Sequence, residues 1–116
     1  MNTDAPLYVD VTEGKSSDTK IFRITGPITL VNLFGLQGEL RKGGVPKVSV
    51  LDLSGVPYMD SAGLGVLLGQ FAHAQRHGNK FGLVGITPRV LTIFEITHTD
   101  QILPIFATQA DAENSF

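Results

Sequence analysis

The chain has 116 residues, of which 42% are hydrophobic and 17% charged, a balance that fits one packed domain and excludes a disordered chain. Cysteine is absent, which excludes disulfide scaffolds, thiolate metal sites and thiol nucleophiles. The formal net charge is −2 and the longest basic cluster is Arg41-Lys42, which argues against nucleic-acid binding through phosphate neutralisation.

The chain opens on Met1-Asn2-Thr3-Asp4, a polar start without the basic-then-apolar order of a signal peptide. No apolar run approaches the roughly 20 residues that span a bilayer. The expectation is therefore one cytoplasmic domain over 1–116, with no membrane insertion and with loose ends at 1–6 and 108–116. The first strand signal is Leu7 to Val11. A polar loop, Glu13 to Asp18, separates it from Lys20 to Thr25, where Ile, Phe and Thr favour a pleated surface. Together they predict an antiparallel hairpin.

Gly26-Pro27 breaks the second strand. Thr29 is placed to cap a helix running to about Lys42, with Leu30, Leu33, Phe34, Gln37 and Leu40 as its core-facing stripe. Gly43-Gly44 ends it and Pro46 blocks its continuation. Val48 to Leu53 reads as a strand covered on both faces. After a loop, Ser54 to Met59, a helix is predicted from Ser61 to about His77, burying Leu64, Leu67, Leu68, Phe71 and Ala74 and stopping at Gly78-Asn79. Phe81 to Ile86 is a further strand. Thr87 and Pro88 open a third helix as cap and first residue, with Leu91, Ile93 and Phe94 as its apolar contacts. Ile102 to Phe106 is a last short strand, and Ala107 to Phe116 a final, fraying helix. The hairpin followed by β-α-β units implies an α/β fold with a mixed sheet of four to five strands, right-handed crossovers and about four helices.

The chemistry concentrates in Val50 to Gly69, VLDLSGVPYMDSAGLGVLLG. A buried strand delivers Asp60-Ser61 to the start of a helix, where ligands of open α/β folds tend to sit. Both residues are good N-cap types and a helix needs one cap. If Asp60 caps, the Ser61 hydroxyl is left accessible on the first turn; if Ser61 caps, its oxygen faces the free amides. In either arrangement a phosphate on Ser61 would lie in the positive field of the helix N-terminus. Gly63, Gly65 and Gly69 each cost about 1 kcal/mol relative to alanine inside a helix, so each implies close packing or the close approach of a partner. Pro57, Tyr58 and Met59 add an apolar loop beside the serine.

The stretch VSVLDLSGVPYMDSAGLGVLL resembles the signature of STAS-domain proteins, and within them the anti-sigma-factor antagonists of sporulation and general stress. The DSAGLG core is similar to the family pattern Asp-Ser-(Ser/Ala)-Gly-Leu-Gly, whose first serine is the phosphoacceptor; that position is Ser61. The resemblance implies a STAS-like fold and a non-enzymatic binding module that needs no cofactor. It also implies a partner, an anti-sigma factor that is an ATP-dependent serine kinase. The unphosphorylated domain would bind it and release the sigma factor, phosphorylation of Ser61 would abolish binding, and a phosphatase would restore it. The implied partner surface comprises Thr29, Tyr58, Met59, Asp60, Ser61, Ala62, Gly63, Leu64 and Gly65. One departure is Gly26-Pro27-Ile28-Thr29, where Thr29 stands in place of the acidic residue frequent in the family.

Other readings compete. A non-switching STAS subunit of a lipid-transport or stressosome assembly would carry the same motif without modification of Ser61. A nucleotide-binding loop is disfavoured because Gly63-Leu64-Gly65 is followed by neither the dinucleotide spacing nor Gly-Lys-Ser/Thr. A hydrolase elbow needs glycine where Met59 stands. His73 and His77 are spaced for a shared metal but lie off the apolar face, so a solvated helix face is expected, and Asp52 is expected to bond loop backbone near its strand end.

Overall fold

A computed structural model describes residues 6–116; the polar start Met1-Asn2-Thr3-Asp4, read above as part of a loose end, lies outside them. Four strands form one sheet in the order β1-β2-β3-β4: β1 (Tyr8–Glu13), β2 (Thr19–Thr25), β3 (Val48–Gly55) and β4 (Lys80–Val84). β1 and β2 form the expected antiparallel hairpin, and β2, β3 and β4 pair in parallel. The helices are α1 (Leu33–Arg41), α2 (Ser61–Arg76), α3 (Pro88–Thr97) and α4 (Gln109–Asn114).

Strand alternation sorts the apolar residues onto two faces. Phe22, Ile24, Leu51, Leu53 and Leu83 share a core with Leu36 and Leu40 of α1, Leu64, Val66 and Leu67 of α2, and Val90 and Phe94 of α3. Ile21, Val50 and Val84 point the other way and pack with Ala112 of α4. Fully burying each such aliphatic side chain contributes about 1.5–3 kcal/mol. The second face is sealed further by Phe106 and Phe116, edge to face at 5.7 Å between centroids, whose nearest atoms lie 3.0 and 3.3 Å from where a Cβ on Gly82 would stand. Residues 108–116 are thus docked on the sheet. The Thr108 hydroxyl accepts from the amide of Asp111 at 3.0 Å, and Glu113 accepts from the amide of Lys15 at 2.7 Å.

Several expectations are corrected. The helix after Gly26-Pro27 begins at Leu33, and Asn32, not Thr29, stands at its N-cap, without a side-chain capping bond. Its core face is Leu36 and Leu40, with Leu33 half-buried, while Leu30 and Phe34 are 66% and 76% exposed. The strand expected over 102–106 reduces to a single parallel bridge between Leu83 and Ile105, because Pro104 has no amide to offer a ladder and a short 3-10 turn, Thr99–Gln101, precedes it. Thr87 does stand at the N-cap of α3, but its hydroxyl donates to the carbonyl of Val56 at 2.7 Å and not to its own helix. In α3 the buried contacts are Val90 and Phe94, with Leu91 at the surface.

Candidate functional site at the tip of α2

Beyond Thr25 the chain turns at Gly26, whose φ of +112° and closeness to the carbonyl of Pro6 admit only glycine. The segment that follows runs beside the loop after β3. The amide of Gly26 donates to the carbonyl of Gly55 at 2.9 Å, that of Ile28 to Tyr58 at 3.0 Å, and that of Asp60 back to Ile28 at 3.2 Å. Ile28 and Met59 form a parallel bridge, and both side chains are inaccessible. Sheet-like pairing therefore continues past the end of β2 and holds residues 26–30 against the start of α2.

Asp60 settles which residue caps α2. Its Oδ1 accepts from the amide of Gly63 at 2.8 Å, as an N-cap carboxylate should. Its Oδ2 reaches across and accepts from the amide of Leu30 at 3.0 Å. Ser61 is consequently the first helical residue; it is exposed, and its hydroxyl makes no hydrogen bond among the described residues. The second residue, Ala62, is half-buried.

The glycines separate into two kinds. A Cβ on Gly63 would overlap the carbonyl and side chain of Ile28, so that glycine answers to packing. Gly65 and Gly69 have open space where a Cβ would stand. With Ser61 they recur at intervals of four, so the three share one exposed stripe of α2.

Of the nine residues expected to meet a partner, the structure brings all into one neighbourhood but does not expose all of them. Thr29, Met59 and Leu64 are buried at 3%, 0% and 6% exposure, and Gly63 is buried as well. Tyr58 is half-buried, with the Arg89 guanidinium 5.5 Å from its ring centroid. Sequence reasoning missed Val31 as a surface residue: Leu30, Val31 and Phe34 are 66%, 67% and 76% exposed and directly follow the segment that Asp60 holds. Their apolar character matched the helical period, so period alone assigned Leu30 and Phe34 inward.

The remaining polar candidates lie elsewhere. Asp52 accepts from the amide of Ser54 at 2.9 Å, a residue that β3 includes and not the loop backbone expected, with Arg23 3.9 Å away. The rings of His73 and His77 approach to 4.3 Å between centroids. Lost hydration, then His77, Arg41 and Arg76, hold the His73 imidazole below its ordinary pKa. Among the described residues no group of three or more His, Cys, Asp or Glu is placed to hold a metal, and no helix is long and apolar enough to cross a membrane.

The sequence model of one family, described as the STAS domain, matches residues 10–112. The chain belongs to the STAS domain family. Within this family it is similar to the anti-sigma-B factor antagonist of Listeria monocytogenes, 40% identical over 55 residues that cover 47% of this chain and 48% of that protein. It is also similar to the anti-sigma F factor antagonist of Paenibacillus polymyxa, 30% identical over 63 residues, 54% of each. The chain spans about half the length of the curated relatives it matches. Among solved structures, a putative anti-sigma factor antagonist from Thermotoga maritima superposes with a TM-score of 0.82 at 22% identity, covering 92% of both chains. That likeness establishes the STAS fold, a mixed sheet of one antiparallel pair followed by parallel strands, as read from the sequence.

Proposed function

We propose that this STAS domain is an anti-sigma-factor antagonist whose partner, an anti-sigma factor with serine kinase activity, binds over the tip of α2 and phosphorylates Ser61. The observation that carries the reading is the exposed, uncommitted hydroxyl of Ser61 beside a carboxylate that already caps the helix. Because Asp60 supplies the cap, Ser61 can be modified without removing a structural bond. A phosphate there adds about −1.5 to −2 charge in the favourable field of a helix N-terminus, so the domain stays folded.

The consequence falls on the partner. An interface that closes over Ser61 would have to desolvate a doubly charged group, which costs several kcal/mol when no cation faces it. Each 1.4 kcal/mol of that cost is about tenfold in affinity. Leu30, whose amide bonds the residue before the serine, begins an exposed apolar run continued by Val31 and Phe34, and Gly65 lets a partner approach the helix backbone one turn further on. Release of the sigma factor by the unmodified form and restoration by a phosphatase complete the cycle. The ATP and its metal belong to the kinase, and this chain contributes a hydroxyl and a surface.

Incubation with candidate anti-sigma kinases and ATP, followed by mass spectrometry of proteolytic fragments, tests the proposal. Phosphate is expected on Ser61. Labelling at Ser54 or Thr29 with Ser61 untouched would refute the assignment, and a chain that co-purifies in a large assembly without any label would favour a non-switching STAS subunit.

A further inference from the structure

Asp60 has two oxygens and uses them on two different elements. Oδ1 accepts from Gly63 within α2, and Oδ2 accepts from the amide of Leu30, thirty residues earlier in the chain. Capping requires only the first. The second ties the start of the exposed run Leu30, Val31 and Phe34 to the residue immediately before Ser61. Backbone pairing of Ile28 with Tyr58 and Asp60 reaches as far as residue 28. The amide of Asn32 bonds locally to the carbonyl of Thr29, and its side chain to the carbonyl of Pro27. The Leu30–Asp60 bond therefore carries this pairing on to residue 30 and ties the start of the turn to the tip of α2.

We infer that Asp60 is a positioning residue that sets the apolar run 30–34 in register with the Ser61 hydroxyl, so that the serine kinase engages both at once. The inference rests on Ser61 being the phosphoacceptor, and it assigns to Asp60 a role through Leu30 and not through contact with the partner. A partner that must seat apolar side chains before the hydroxyl reaches its phosphoryl donor loses binding when the two are uncoupled, while the chemistry of the bound state changes little.

Two substitutions separate the cap from the tether. Asp60→Ser keeps a good N-cap acceptor for Gly63 but is too short to supply a second acceptor to Leu30. Asp60→Asn can accept from Gly63 through its carbonyl oxygen but turns an NH₂ group toward the Leu30 amide, donor against donor. Both variants of the full chain are expected to unfold within a few degrees of wild type. Both should exchange the Leu30 amide proton faster, by about tenfold or more. As substrates of the kinase that labels wild type, both should show KM raised about fivefold or more with kcat within about twofold. Val31→Ala, which leaves the tether intact, should raise KM without changing Leu30 exchange.

Unaltered Leu30 exchange in both variants overturns the tether. Faster exchange with an unaltered KM overturns the coupling to docking. If wild type itself is not labelled at Ser61, the reading of that serine fails instead, and the exchange rate alone decides whether Asp60 holds the turn.

Discussion

A Cβ on Gly63 would occupy the space of the Ile28 carbonyl oxygen, so the first turn of α2 and the segment after β2 can meet only if residue 63 has no side chain. The contact lies against backbone, which cannot rotate away. Gly63→Ala is expected to destabilise the domain by about 1–3 kcal/mol through overpacking, despite the better helix propensity of alanine. Gly65→Ala, with open space around it, should instead stabilise by up to about 1 kcal/mol. Urea denaturation of the two variants should show midpoints moving in opposite directions.

Replacing Ser61 separates folding from recognition. The side chain is exposed and bonds to nothing among the described residues, so Ser61→Ala should leave stability within about 0.5 kcal/mol. Ser61→Asp places a carboxylate at a helix N-terminus and should stabilise by about 0.3–1 kcal/mol at low salt. Partner affinity should follow a different order: Ser61→Ala near wild type, Ser61→Asp weaker by about tenfold or more. Calorimetric titration with the anti-sigma partner checks it, and equal affinity of all three forms would count against a charge-operated switch.

His73 makes stability depend on pH on the acid side of neutrality. Lost hydration and the neighbouring His77, Arg41 and Arg76 lower its folded-state pKa, while the unfolded value stays near about 6.5. Between the two values the unfolded chain binds more protons, so stability falls as pH drops through that window. Below the folded value the loss is complete and constant. His73→Gln should flatten the decline in denaturation midpoint between neutral and mildly acidic pH, and an unchanged slope would show that other groups set it.

Glu113 acts lower on the scale. The amide of Lys15, then the side chain of Gln109, hold its carboxyl below the usual range. Its stabilising contribution is present above the unfolded-state pKa and is lost as pH falls through the folded one. Glu113→Gln should lose stability at neutral pH and show a shallower fall toward strong acid. The same variant should loosen α4, which hydrogen exchange at Ala112 would report.

The elements with buried apolar runs were legible from the sequence. β3, covered on both faces, and α2, with an Asp-Ser start and a Gly-Asn stop, lie within a residue or two of their expected bounds. The candidate site is placed at the head of α2 on the same two signals. What could not be read was the pairing of residues 26–30 with 55–60, which depends on contacts distant in sequence. That pairing buries Thr29, makes Met59 core, and turns Leu30 outward. Periodicity assumes that apolar residues face inward, so it missed that Leu30, before the helix, and Phe34, within it, face outward. The Thr87 hydroxyl likewise serves the carbonyl of Val56, a partner no local rule names.

The sheet's two margins are unequal. On the β4 side, the amide of Leu83 donates to Pro104 and its carbonyl accepts from Phe106, so a newcomer strand must first displace a segment of the same chain. On the β1 side no strand of the described residues pairs outward. A second chain adding edge to edge therefore meets less resistance at β1 than at β4, where the two bonds to Leu83 must first break.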